Sequence, residues 1–460
     1  MTQPPDRALL REEANRFLSE NPDIQQVYLI YTDLVGVQRG KLLTRAELLP
    51  AWENGRFMAC SAMSMDVTGR DVEETGMIWE TGDADHTLWP VPGTLKRIPW
   101  GRIPQAQYLG SFHQLDGEGA VAEPRHALKR IVDRFAEFAL KPVAAVELEF
   151  YLLDRESALA GKPQPPKGLT VPERQRHFQG YYLQDLEDFA PFFNDLYSAA
   201  EAQKLPLEAL LSEYSPGQME IGLKYRTDAL QACDEAIQFK RLVKAIAEQH
   251  GLIASFMAKP YSAWAGCGMH LHISLADTDG RNVFASDEVI ANDLLRHAIG
   301  GMKSTMADGM AIFAPNANSY RRFRKASYAP IAPNWGFNNR SVSLRIPAGK
   351  GPARHVEHRA SGADANPYLA MAAALAGVHL GLKNKIDPGP MIEGNGYEQP
   401  SDPMPTNWFA ALETFRKSSF AAQYFGSDFV RIFATIKEVE ADRFFAEPQP
   451  LDFDFYLRTI

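Results

Sequence analysis

Val146-Glu147-Leu148-Glu149-Phe150-Tyr151-Leu152 alternates polar and apolar residues with the period of a β-strand. Glu147 and Glu149 then share one face, and Val146, Leu148 and Phe150 share the other. Neighbouring carboxylates on one face repel unless a cation or a proton sits between them; the plain alternative is an edge strand with a solvated acidic face. Further along, Glu213-Tyr-Ser-Pro-Gly-Gln-Met-Glu220 carries a Ser-Pro-Gly turn signal, so it reads as a hairpin with a glutamate on each arm. In Gly266-Cys-Gly-Met-His270-Leu-His272-Ile-Ser274-Leu275 the alternation places His270, His272 and Ser274 on one face, as metal ligands or as polar contacts. Asn339-Arg340-Ser-Val-Ser-Leu-Arg345-Ile-Pro347 turns Val342, Leu344 and Ile346 toward a core. Ser341, Ser343 and Arg345 fall on the open face, with Arg340 at the strand start. In Val356-Glu357-His-Arg359 the two charged residues again share a face, and Arg322 ends the loop segment Asn318-Ser-Tyr-Arg-Arg.

Strands that each present a carboxylate or imidazole opposite an apolar face suit a hard divalent cation, Mg²⁺ or Mn²⁺. Structural zinc does not fit, because Cys60, Cys233 and Cys267 lack CxxC spacing. Arginines beside such a set suggest an anionic substrate, most simply a phosphate bridged by metal. The chain has neither a GxxxxGK[ST] loop nor a complete GxGxxG, so a P-loop or dinucleotide fold is unsupported. The residues alone lead to a metal-dependent enzyme acting on phosphates.

The wider chain is consistent with that reading. In 460 residues, 45% apolar and 23% charged, there is enough apolar material for a large core and more than one domain. A net charge of −9 argues against a nucleic-acid binder. The polar start MTQPPDRALLREEANRF has no apolar leader, no run reaches membrane-spanning length, and three cysteines suit a reducing compartment, so a cytoplasmic enzyme is expected. A helix is expected over Arg7–Glu20, then a hairpin from Gln26 to Leu43 turning at Asp33–Gly36, with more short strands over 56–112. A boundary falls near Asp116–Gly119. Beyond it helices are expected over 124–140, 228–249, 366–382, near 407–421 and near 424–446, with an exposed loop over 383–406.

Val-Glu147-x-Glu149-Phe, Glu213…Gly-Gln-x-Glu220, Gly-Met-His270-x-His272-x-Ser274, Asn-Ser-Tyr-Arg-Arg322, Asn-Arg340-Ser…Arg345-Ile-Pro and Glu357-x-Arg359…Asn-Pro-Tyr stand in the order found in glutamine synthetases. The resemblance covers the chain from about residue 20 to its end. It implies an α+β fold, with an N-terminal helix (1–18), a β-grasp domain (19–115) and a large catalytic domain (116–460). It also implies homododecamers of two hexameric rings with active sites between subunits. One divalent ion would be held by Glu149, Glu213 and Glu220, and a second by Glu147, Glu357 and His270. Glu208, His272 and Ser274 match nucleotide contacts, Arg340 and Arg345 match phosphate-binding arginines, and Arg322 and Arg359 match arginines around glutamate and the transferred phosphate. The implied chemistry is attack of glutamate's γ-carboxylate on ATP, giving γ-glutamyl phosphate, from which an amine displaces phosphate.

The sequence departs from ammonia-using members at the acceptor. Their Asp-Gly-Ser-Ser segment is absent from Phe57–Asp66, and the position of their flap glutamate, six residues beyond Arg322, is Tyr328. Ala265 replaces an asparagine before Gly-x-Gly-Met-His, and a tyrosine modification loop is not matched around Asn395-Gly-Tyr397. Loss of both ammonium-site acids implies a bulkier primary amine, with Asp66, Asp71, Glu73, Glu74, Trp264 and Trp335 as candidates to line its site. The pattern, including Asp33-Leu-Val-Gly-Val-Gln-Arg-Gly-Lys41, is similar to the γ-glutamylpolyamine (γ-glutamylputrescine) synthetases, which act in polyamine catabolism on putrescine, spermidine or spermine. The alternatives are glutamine synthesis from ammonia, ligation to a monoamine or ethanolamine, and a non-catalytic structural relative.

Overall fold

The computed structural model describes residues 6–171, 173–174, 178–288 and 292–460. The leading helix forms over Arg7–Glu20 with the Asp6 carboxylate accepting from the Ala8 amide as its N-cap. The first five residues of the expected 1–18 segment lie outside the described residues.

Six strands build the first sheet: β1 (Gln26–Thr32), β2 (Gln38–Thr44), β3 (Arg56–Ala59), β4 (Asp85–Pro90), β5 (Lys96–Ile98) and β6 (Gln105–His113). Their order is β2-β1-β6-β4-β3, with β5 on β6. β1 and β2 form the expected hairpin, turning at Gly36 with φ +86°, a left-handed conformation that favours glycine. β1 runs parallel to β6. The helix Arg45–Asn54 crosses this sheet and buries Leu48, Ala51 and Trp52, with the Trp52 ring edge-on to Tyr108 at 4.4 Å. A mixed sheet crossed by one helix is the β-grasp arrangement.

The second sheet holds β7 (Lys141–Asp154), β8 (Leu207–Ser212), β9 (Gln218–Leu223), β10 (Leu252–Ser255), β11 (Met269–Ala276), β12 (Trp335–Phe337), β13 (Leu344–Ile346) and β14 (Val356–His358). The order is β12-β13-β14-β11-β7-β9-β8, with β10 also on β7. The Glu147 strand is therefore interior, not an edge. Its apolar face, Val146, Leu148 and Phe150, is buried under the helix Ala229–Gln249, where Phe150 meets Phe239 at 6.5 Å. Behind it the helix Pro367–Asn384 packs on Asp293–Ser304 so closely that a Cβ on Gly301 would lie 2.0 Å from the Gly377 carbonyl oxygen. Only glycine fits that crossing.

Several local expectations are corrected. The 124–140 helix is α-helical only to Arg134, tightens to a 3₁₀ turn over Phe135–Phe138, and ends at Ala139 with φ +53°. The helix expected near 407–421 is two, Trp408–Lys417 and Ser419–Phe425, because Ser418 leaves helical geometry and its Oγ accepts from the Ala421 amide to start the second. The next begins at Ser427, after Gly426 at φ +90°. The helix expected to end at 382 runs on to Asn384. Ser343 is not on an open face: β13 starts only at Leu344, and the Ser343 hydroxyl is fully buried, donating to the Asn334 carbonyl at 2.8 Å.

Contacts across the chain tie the first sheet's loops to the helix Ser427–Ala446. The Val67 amide donates to Glu440 at 2.6 Å, Glu440 pairs with the fully buried Lys437 at 2.7 Å, and Arg443 pairs with Asp66. Removing one member of a buried pair strands the other charge, at about 3–5 kcal/mol. Lys437→Ala is expected to lower the thermal midpoint by about 3–5 °C. The double variant Lys437→Met/Glu440→Leu should recover part of it, short of what the Val67 amide loses with its acceptor; scanning calorimetry of the three proteins checks both.

Candidate metal and phosphate site

The register of the second sheet brings the sequence-distant acids together. Glu147 pairs with His270 across β7 and β11, Glu149 with Glu220 across β7 and β9, and Glu357 with both His272 and Arg345 across β14. His270 is the hub. Its Nδ1 is 2.6 Å from Glu147 Oε1 and 3.6 Å from Glu357 Oε1, and its Nε2 is 3.9 Å from Glu149 Oε1. Ligand-capable atoms of Glu147, His270 and Glu357 lie within 4.8 Å of one another, as do those of Glu149, Glu220 and His270. Glu213 sits just beyond β8 and outside both groups, its carboxylate accepting from the Tyr214 amide at 3.2 Å.

These carboxylates do not share one titration behaviour. Burial drives the Glu220 carboxyl up to about 10, reinforced by the charges of Glu147, Glu149 and Glu213. Burial also raises Glu149 and Glu213. At Glu357 burial is outweighed by Arg359, His270 and His272, which hold the carboxyl down at about 2. At Glu147 it is outweighed by hydrogen bonds with His270 and His272. The cluster thus has acids that cannot all ionise together without added positive charge. Its donors, carboxylate oxygens and one imidazole, are those of Mg²⁺ or Mn²⁺ rather than of structural zinc, so the residues fit the ions expected. Gly268 keeps the space open: a Cβ there would lie 2.9 Å from Arg322 Nη2 and from His270 Nε2, and 3.3 Å from Glu149 Oε1.

The arginines flank this set. Arg345 Nη1 donates to Glu357 Oε2 at 2.7 Å, and Arg359 pairs with Glu357 Oε1. The buried Arg322 donates to the carbonyls of Ala360 at 2.9 Å and Arg359 at 3.1 Å. Arg340 is exposed, and its charge reaches Glu213 and Glu220. Ser274, half-buried, follows His272 along β11. Glu208 lies exposed at a register shift in β8, its carboxylate over Gly222, the partner of Glu147.

Two groups escaped the sequence reading. His355 Nε2 is 3.0 Å from His272 Nδ1, while its own Nδ1 is 2.8 Å from the Ala353 carbonyl. Carrying the Glu357 alternation back by two residues would have found it. Gln218 donates to Glu149 Oε2 at 3.2 Å and to the Gly266 carbonyl at 3.0 Å, and it stood in the quoted Gly-Gln-x-Glu run.

Of the acceptor candidates, Tyr328 is 67% exposed with φ +58°, on a loop held by Ser327 donating to the Arg322 and Arg324 carbonyls and by Tyr397 donating to the Ala329 carbonyl at 3.1 Å. Trp264 is half-buried beside the site. Trp335 is buried and donates to the Gly389 carbonyl, and Asp66 is turned inward, accepting from the Thr68 and Arg70 amides and pairing with Arg443. Asp71, Glu73 and Glu74 are exposed on the N-terminal portion.

The raised Glu220 carboxyl carries a sign. Folding favours its protonated form, so the apo protein loses stability as pH rises from the unfolded carboxyl range through about 10. Glu220→Gln should therefore raise the apo melting temperature at pH 8, and Mn²⁺ should stabilise the variant less than the wild type; melting curves with and without Mn²⁺ check both.

The glutamine synthetase catalytic-domain model matches residues 121–456. The chain is 40% identical over 435 residues to gamma-glutamylputrescine synthetase PuuA of Escherichia coli K12, covering 94% of this chain and 92% of that one. It is 34% identical to glutamate–isopropylamine ligase of a Pseudomonas species, covering 91% and 92%. A solved complex of GmaS with ADP superposes with a TM-score of 0.83 at 26% identity, covering 96% of this chain and 98% of that one. The chain belongs to the glutamine synthetase family, as an ATP-dependent glutamate–amine ligase.

Proposed function

We propose that this enzyme joins the γ-carboxylate of L-glutamate to a polyamine such as putrescine, spermidine or spermine, in polyamine catabolism. The observation that carries the choice of acceptor is the loss of acid where ammonium would be held. Tyr328 offers a neutral phenol, and Asp66 is taken up by its own turn and by Arg443. A small cation without a carboxylate to seat it gains little, whereas a longer amine can bind through its chain.

In this reading Glu149, Glu213 and Glu220 hold one divalent ion, and Glu147, Glu357 and His270 a second, Mg²⁺ or Mn²⁺. When bound, such ions neutralise the phosphate oxygens of ATP and of the transferring group. The chain's own residues do the rest. Glu208, His272 and Ser274 contact the nucleotide, with His355 orienting His272. Arg340 and Arg345 bind its phosphates. Arg322 seats glutamate, and Arg359 faces the transferred phosphoryl group, where preorganised charge stabilises the transition state. Tyr328, on its tied loop, closes over the acyl phosphate and keeps water out.

The unit boundaries 19–115 and 116–460 belong to the same reading, as do a cytoplasmic location and a homododecamer of two hexameric rings. The assembly is supported by the C-terminal segment, where Phe444, Phe445, Leu451, Phe453, Phe455, Tyr456 and Leu457 are all exposed. A patch of that kind marks an interaction surface.

The test is phosphate release from ATP with glutamate and Mg²⁺ across ammonia, ethanolamine, isopropylamine, putrescine, spermidine and spermine. A di- or polyamine should stimulate most, with ammonia near background, and ammonia giving the highest kcat/KM would overturn the acceptor assignment. Tyr328→Glu should raise kcat/KM for ammonia by about tenfold or more, the scale of one charge-assisted contact.

A further inference from the structure

Beside the carboxylate cluster stands a run of aromatic rings that no step above uses. Tyr214 directly follows Glu213 and is 59% exposed. Phe178, 43% exposed, lies 5.7 Å from it and meets Trp264 edge-on at 5.5 Å. Trp264 is packed on Tyr261 at 4.1 Å, and Tyr261 on the buried Tyr151 at 5.3 Å. The rings form a continuous wall from the core out to the mouth of the site.

Hydrogen bonds fix this wall to the charged cluster. The Ala265 amide donates to Ser215 Oγ at 3.0 Å, and the Tyr151 hydroxyl donates to the Ala265 carbonyl at 2.9 Å. Gln218 spans the Gly266 carbonyl and Glu149. Arg324, from the loop carrying Tyr328, donates to the Ser262 carbonyl at 3.0 Å. The wall, the Tyr328 loop and the glutamates therefore hold one another in place.

We propose that Tyr214, Phe178 and Trp264 form the acceptor-chain subsite, which takes the methylene chain of a primary amine whose reacting nitrogen lies at the Glu213 end. The inference rests on the amine-ligase reading. The rings direct it to a chain rather than to a second charge. Tyr214 and Phe178 are exposed and Trp264 is half-buried, so the run offers apolar faces next to Glu213. Two of the donors to the loop are cations, Lys259 on the Trp264 carbonyl and Arg324 on the Ser262 carbonyl. Aromatic faces supply rigid contact area at low entropic cost.

The test uses the full-length enzyme with saturating glutamate, ATP and Mg²⁺. In the wild type, KM should fall by about threefold per added methylene from ethylamine to n-butylamine, the scale of a buried CH₂. Trp264→Ala and Phe178→Ala should each raise KM for n-butylamine and putrescine by about tenfold or more, with KM for ATP and glutamate within about twofold and Trp264→Phe close to wild type. If organic amines are turned over but KM is flat across chain length and unmoved in the variants, the subsite assignment falls while the ligase reading stands. If only ammonia is used, both fall. A putrescine KM more than about tenfold below that of n-butylamine overturns the chain-only assignment by showing a seat for the second ammonium. The chain-length series needs no variant, so a misfolded substitution does not affect it.

Discussion

Mutual repulsion among Glu147, Glu149, Glu213, Glu220 and Glu357 is the constraint on which the rest of this structure depends. The carboxylates of Glu147, Glu149, Glu220 and Glu357 are gathered around His270 on adjacent strands, with Glu213 just beyond them; Glu220 is driven up to about 10 and Glu357 held down at about 2. Left to itself, such a cluster would splay. The sheet does not allow it, because β7 is interior, paired to β11 and β9, and its apolar face is buried under the helix Ala229–Gln249. The stability of that hydrophobic layer maintains a polar face that is locally unfavourable, the usual way in which strain at a functional site is supported.

The counter-charges are distributed unevenly. Glu357 is already engaged by Arg345 and Arg359, and Glu147 by His270 and His272. Glu149, Glu213 and Glu220 sit on the other side with their carboxyls raised. The half of the site with the raised acids is where an added cation changes the energy most. In the other half Glu357 and Glu147 already carry counter-charges, with Arg345 and Arg359 beside Glu357. This polarity, read from the protein's own groups, matches a reaction in which ATP phosphates and an acyl carboxylate meet between the two.

Much of this was legible in the sequence because strand alternation is a strict period. Glu147 with Glu149, and His270 with His272, declare their shared faces in one line of residues. What was not legible followed from geometry of longer range or from chain ends. Ser343 broke the alternation because β13 is three residues long and the chain before it turns. Ser418 split a helix that hydrophobic spacing alone would have run through, because its cap bond competes with the helical one. His355 was overlooked since its significance lies in meeting His272 across β14 and β11. Asp66 looked like an acid available to an amine until its Arg443 partner, hundreds of residues away, came into view. Periodicity reports which way a side chain points; it does not report what is waiting there.

In the proposed reading, Tyr328 stands where ammonia-using relatives carry a flap acid, and the exchange bears on more than size. A carboxylate at that place would do two things to ammonium: seat it by charge, and accept a proton as it becomes nucleophilic. A phenol in its neutral form does neither, so the two tasks must separate. Seating can pass to burial of an alkyl chain, which is additive along its length and indifferent to protonation. Proton acceptance cannot pass to the aromatic wall. The exchange at Tyr328 therefore changes how an acceptor is held, while the carboxylate and imidazole groups around His270 keep their ligand set.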